Sequence, residues 1–134
     1  MTQIAETVRA FLEEVRFAVI ATTNRDGSPH QAALWYELRG ETIVMNTGAQ
    51  SRKVLNLKRD PRASVTIVDS TQARHVTLEG TVTLDDRHVQ EDLTALASRY
   101  VGAEAGPGIA ANIARIPHVS LVLSVARVKT FGKI

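Results

Sequence analysis

Between Asn46 and Arg62 the chain reads NTGAQSRKVLNLKRDPR, which sets a hydroxyl and a run of cations where a helix should begin. An apolar strand ending at Met45 leads into a small polar connection, Thr47-Gly48-Ala49-Gln50. Ser51 stands at the expected N-cap, where its hydroxyl can accept a bond from a free helix amide. Val54, Leu55 and Leu57 give the helix an apolar side, and Asp60-Pro61 ends it because the residue before proline avoids the α region. The charge is the reverse of what the helix dipole favours. Arg52 and Lys53 lie in the first turn, where a cation is unfavourable by roughly 0.3–1 kcal/mol. A bound anion would change that sign, and free amides, a hydroxyl and two cations are together the parts of a phosphate site. A solvated basic helix uses the same residues, and spacing alone leaves both readings open.

Other chemistry has less behind it. The absence of cysteine excludes disulfides, thiolate metal sites and a cysteine nucleophile. His30, His75, His88 and His118 match none of the local ligand spacings, so structural or surface roles are expected and no metal is. No serine sits in a nucleophile-elbow sequence. Trp35 and Tyr36 are neighbours on a predicted strand and face opposite sides; Trp35 is expected to wall a cleft and Tyr36 to enter the core. No side chain stands out as a general acid, and no catalytic residue is assigned.

These residues need a scaffold. Ile4, Val8, Phe11, Leu12 and Val15 recur at helical spacing, which predicts an amphipathic helix over Thr2 to Glu14. Phe17 to Thr23 reads as a strand, and Asp26-Gly27 within the following polar stretch is a hairpin signal. His30 to Leu38 alternates as a second strand, and Thr42 to Asn46 forms a third that delivers the chain to the basic helix. Ala63 to Asp69 and Arg74 to Leu84 are the next two. Gly80 within the latter predicts a bulge or sharp bend, with Glu79 as its carboxylate. Asp85 or Asp86 should cap a helix burying Val89, Leu93, Leu96, Ala97, Tyr100 and Val101, and Gly102 should end it. Gly106-Pro107-Gly108 reads as flexible, with Ile109, Ile113 and Ile116 following in a short helix. Val119 to Phe131 is the last strand. About six strands in meander order, with short connections and three helical insertions, fit a small antiparallel barrel whose closure removes exposed edges.

The 134 residues fit one domain spanning 1–134, and 44% hydrophobic with 22% charged content is ordinary for a soluble fold. No apolar run is long enough to span a bilayer, and neither end carries the h-region of a signal peptide, so no membrane partner and a cytoplasmic location are expected. The net charge of +2 is concentrated in Arg52, Lys53, Lys58, Arg59 and Arg62. With aromatics at 4%, a small polyanion is a better partner than nucleic acid.

Three segments, FAVIATTNRDGSPHQAALWYEL, IVMNTGAQSRKVLNLKRDPRASVTIVD and VTLEGTVTL, together span about Phe17 to Leu84. In order and spacing they resemble the split β-barrel flavin-binding superfamily of pyridoxamine 5′-phosphate oxidase, and within it the branch that uses the deazaflavin coenzyme F-420. The resemblance implies a mainly β fold, a six-stranded antiparallel split β-barrel with flanking helices. It also implies a homodimer with a cofactor in each of two clefts between protomers. Ser51, Arg52 and Lys53 would hold the cofactor phosphate. Asn46, Thr47 and Asn56 would follow the ribityl chain, while Gln31, Ala32, Ala33 and Trp35 would lie along the ring, with Gln72 and Ala73 near it. Arg59 and Arg62, with Lys58, would meet the oligoglutamate tail that distinguishes F-420 from FMN. The implied activity is hydride transfer from the reduced deazaflavin to a small unsaturated acceptor. An FMN-dependent oxidoreductase and a non-catalytic cofactor carrier are the alternatives. No Arg-x-His element follows Val119, so the vitamin B6 reaction is not expected.

Overall fold

The computed structural model describes residues 3–134; Thr2, the expected start of the first helix, lies outside the described residues. The helix α1 covers Glu6–Glu13 and buries Val8, Phe11 and Leu12. Val15, expected on the same stripe, falls beyond the helix and is exposed. Two strands follow, β1 (Ala18–Thr23) and β2 (Pro29–Leu34), joined by a turn that Asp26 holds by accepting bonds from the Ser28 amide and hydroxyl. Gly27 takes a φ of 89° there, a value only glycine adopts freely.

The expected strand from His30 to Leu38 is two strands. β2 pairs with β1, whereas β3 (Glu37–Arg39) pairs with β4 (Thr42–Gly48). Trp35 and Tyr36 make the corner between them. Since the sheet order is β2-β1-β5-β6-β7-β4-β3, this two-residue link ties one edge of the sheet to the other and forces it to curl. The sheet therefore has seven strands, one more than expected, and its order is not a simple meander. Alternation runs on through the corner, with Leu34 and Tyr36 both buried, and that continuity hides the break from a reading of periodicity.

β4 extends to Gly48, so Thr47 and Gly48 are strand residues, paired with Val119 and His118, and not part of the connection. α2 covers Arg52–Arg59 and ends before Pro61 as expected. β5 (Arg62–Asp69) and β6 (Arg74–Asp85) form a hairpin, and β7 (His118–Phe131) completes the sheet between β6 and β4. The register of β6 against β7 shifts between Glu79 and Gly80, where a Cβ on Gly80 would overlap the Ser124 carbonyl oxygen. Glycine is thus required at the expected bulge.

α3 spans Val89–Val101, with His88 at the N-cap and no side-chain cap. Asp85 does not cap α3; its carboxylate accepts the Arg87 amide at 2.8 Å and meets His88 at 3.1 Å. Val101 is exposed and not on the buried side. Gly106-Pro107-Gly108 opens α4 (Gly106–Ile113) instead of forming a flexible link, with proline in the first turn. Gly106 packs so closely on α3 that a Cβ would come within 2.6 Å of the Ser98 Cα. No described helix is long and apolar enough to cross a membrane.

Two cores result. Ile20, Ile43, Met45, Ile67, Leu78, Leu121 and Leu123 fill the barrel, and Leu93, Ala97 and Ala110 form a smaller cluster under Trp35 and Ile113. The corner residues divide between them. Tyr36 enters the barrel and donates its hydroxyl to the Leu12 carbonyl at 2.7 Å, with burial pushing its pKa up to about 12. Trp35 turns outward and stacks on Tyr100 at 5.0 Å. Arg99 locks this end of the molecule, donating to the carbonyls of Leu12, Glu13 and Glu14 at the end of α1 and to that of Tyr36.

Candidate functional site

Buried Val54 and Leu57 fix α2 against the barrel, which sets where its N-terminus points. Ser51 occupies the N-cap with extended backbone, φ −69° and ψ 160°, and its carbonyl accepts the Val54 and Leu55 amides. The hydroxyl does not cap the helix: Oγ is buried and has no hydrogen-bond partner among the described residues. A buried hydroxyl without a partner costs on the order of 1–3 kcal/mol. Lys53, in the first turn, is half-buried, and burial holds its pKa below the ordinary lysine value. Neither Lys53 nor Arg52 has an ion pair among the described residues. Free helix amides, an idle hydroxyl and unpaired cations fit an anionic group such as a phosphate.

Two recesses adjoin this point, and a third lies farther back along β4. One of about 300 Å³ is lined by Gly48, Ala49, Gln50, Ser51, Ile116 and Pro117. Arg52 faces another, of about 460 Å³, with Asn24, Arg25, Asp26, Ser28 and His30. The third, about 250 Å³, is mostly apolar: Phe17, Ala33, Leu34, Trp35, Asn46, Leu93, Leu96, Ile113 and His118 line it. The β4–β7 pair connects the first to the third, since Gly48 pairs with His118 and the Ala49 amide donates to the Pro117 carbonyl at 2.9 Å.

The structure brings Ala33, Trp35 and Asn46 together in the apolar recess, with Thr47 and Ser51 farther along the same chain segment. Gln31 and Ala33 are exposed on the outer face of β2, and Ala32 is half-buried on the inner face. Asn46 is held from behind: its Nδ2 reaches the Ser120 hydroxyl at 3.4 Å, while Oδ1 is buried without a partner among the described residues. Ser120 in turn donates to Asp92 at 2.7 Å, and Arg39 donates to the other oxygen of Asp92 at 2.5 Å. Asp92 is only 5% exposed, and nothing in its surroundings in the sequence separates it from the exposed acids beside it.

Other expected residues are occupied or lie elsewhere. Asn56 is fully buried, and its amide donates to the Thr22 hydroxyl at 3.1 Å and to Asn24 at 3.0 Å. Leu55, expected on the apolar side of α2, is 49% exposed, so Asn56 takes its place in the interior. Arg59 donates to the Thr23 carbonyl. Arg62 makes two bonds to Asp60, at 3.0 and 2.7 Å, and these hold the Asp60 carboxyl down at about 2. Gln72 and Ala73 are exposed in the β5–β6 turn and line none of the three recesses. Ala73 has a φ of 49°, and its carbonyl packs against Gly132, where a Cβ would come within 2.8 Å. The described histidines do not gather with acids into a metal-binding group.

Comparison with known proteins places this fold. The solved structure of conserved hypothetical protein Rv2991 from Mycobacterium tuberculosis is 26% identical, with a TM-score of 0.77 over 98% of this chain and 90% of that one. An F-420 reductase superimposes with the same TM-score of 0.77 at 20% identity, over 94% of this chain and 98% of that chain. A pyridoxamine 5′-phosphate oxidase-related, FMN-binding protein from Nostoc punctiforme has a TM-score of 0.63 at 20% identity, over 87% of this chain and 74% of that one. At 20% identity a likeness shows the fold alone. Residues 4–132 match the pyridoxamine 5′-phosphate oxidase family, and the chain belongs to that family.

Proposed function

We propose that the protein is a reductase dependent on coenzyme F-420, acting as a homodimer on a small unsaturated acceptor. The observation that carries this reading is the start of α2, where a buried, partnerless Ser51 hydroxyl stands beside Lys53, a half-buried cation with no ion pair among the described residues. Both features are unfavourable in an empty site and favourable once a phosphate is bound. Ser51, Arg52 and Lys53 would hold that phosphate. Asn46 and Thr47 would follow the polyol, and Gln31, Ala33 and Trp35 would lie along the ring at the apolar recess. Gln72 and Ala73, exposed on their turn, would approach the ring in a cleft completed by a second copy of the chain.

The cofactor when bound supplies a hydride; the chain binds, orients and dries the site. Trp35 stacked on Tyr100 gives a rigid apolar wall, and the Arg39–Asp92–Ser120 chain fixes the Asn46 amide. FMN is the second reading, favoured by a specific feature: Arg59 and Arg62 are already engaged within the chain, leaving fewer cations for an acidic tail. A fluorescence titration of the apoprotein with each cofactor decides between them. Tighter binding of F-420, followed by oxidation of its reduced form in the presence of an enone, is the expected result. FMN binding without F-420 binding would transfer the reading to FMN. Binding of F-420 with no turnover across quinones and enones would make the protein a carrier.

A further inference from the structure

We propose that His118 is the proton donor of the reaction, an assignment that rests on the reductase reading above. His118 is the first residue of β7 and lines the apolar recess together with Ala33, Trp35 and Asn46. The other residues lining it, phenylalanine, alanine, leucine, tryptophan, asparagine and isoleucine, carry no group that titrates near neutrality. The ring orientation is fixed by the backbone. Nδ1 lies 2.6 Å from the Ile116 carbonyl, and because a carbonyl only accepts, Nδ1 carries the hydrogen. Nε2 is then the nitrogen that gains and loses the second proton, and it has no hydrogen bond among the described residues. A histidine anchored at one nitrogen and open at the other is the arrangement general acid catalysis requires.

The competing groups are occupied. The Tyr100 hydroxyl, behind Trp35, donates to the Arg16 carbonyl at 2.5 Å and accepts the Tyr36 amide at 3.0 Å, with its pKa raised by burial. On α3, Asp92 is bound by Arg39 and Ser120, and Arg99 is bound by the carbonyls at the end of α1. β4 and α4, which pack beside His118, contain no acidic or basic residue. Arg16, next to Phe17, pairs with Asp69 and Glu14.

The step balances as follows. The hydride, given up as a C–H bond of the reduced cofactor breaks, would form a C–H bond at the electron-poor end of the acceptor's double bond, and the π pair would move to the other end. The Nε2–H bond of the imidazolium breaks, and that proton bonds to the displaced pair. The acceptor has gained two electrons and two hydrogens, and neutral His118 recovers its proton from solvent.

The test uses the full chain with F-420 and cyclohexenone. His118→Gln should lower kcat about 100-fold, remove the fall in rate on the alkaline side that the wild type should show, and leave the Kd for F-420 unchanged. His118→Ala should be partly rescued by added imidazole. A readout independent of turnover is nitrogen-edited NMR of the protein without cofactor, which should show the neutral His118 ring with hydrogen on Nδ1 and a bare Nε2. An unchanged kcat and pH profile in His118→Gln, a matching loss of F-420 affinity, or hydrogen on Nε2 would each overturn the assignment. A wild type that does not bind F-420 overturns the reductase reading itself, and the NMR result then stands apart as a statement about His118 alone.

Discussion

The two ends of α2 carry the same kinds of residue in opposite circumstances. At the start, Arg52 and Lys53 oppose the helix dipole and have no ion pair among the described residues; at the end, Arg59 suits the dipole and donates to the Thr23 carbonyl, and Arg62, just beyond the helix in β5, is bound to Asp60. A cation that already has a favourable field and a partner gains little from a ligand. One placed against the field, half-buried and unpaired, gains a great deal. The difference separates the proposed anchor from a solvated surface within a single helix of 8 residues.

Lys53→Ala tests this most severely. Charge-assisted bonds are worth about 1.5–3 kcal/mol, so affinity for either phosphorylated cofactor should fall about 10–100-fold in a fluorescence titration, and an unchanged Kd would remove the anchor. Ser51→Ala comes next. At an ordinary N-cap the substitution costs about 1 kcal/mol of stability. Here the hydroxyl makes no cap, so urea denaturation without ligand should show no loss, while cofactor affinity drops about fivefold. A normal capping loss would show that Oγ bonds the helix.

The pH dependence has a defined sign. Burial lowers the folded pKa of Lys53, so the charged form is unfavourable in the empty site and that penalty is relieved as pH rises through the lowered value. Phosphate binds the charged form; its affinity should therefore decrease as pH rises through that same range, below the ordinary lysine value of 10.5. A Lys53→Ala variant should lose this dependence. Arg62→Ala has the smallest expected effect: below about threefold on FMN, with any further loss confined to F-420 through its tail. The same variant should show reduced acid resistance. The depressed Asp60 contributes stability that is present above its ordinary value of 3.8 and is lost as pH falls toward about 2.

Much of the scaffold was legible. Asp26-Gly27 marked the first hairpin, Pro61 the end of α2, and Gly80 the bulge, because each imposes a local backbone requirement that few other residues meet. The clash between charge and dipole at the start of α2 was legible for the same reason, since the first turn is local. The corner at Trp35 and Tyr36 was not, as period-2 alternation persists through it. Asp92 and His118 were also missed. Asp92 differs from its acidic neighbours only through contacts with Arg39 and Ser120, 53 and 28 residues away in sequence. The role proposed for His118 depends on the recess it lines.

The amino-acid sequence by itself determined the strand-rich pattern, the family, and the clash between charge and dipole at the start of α2, all of which follow from neighbours along the chain. Only the tertiary structure decided which charges are paired. Burial, hydrogen-bond partners and the recess beneath Trp35 arise where distant segments meet, as β4 meets β7 and α3 meets both.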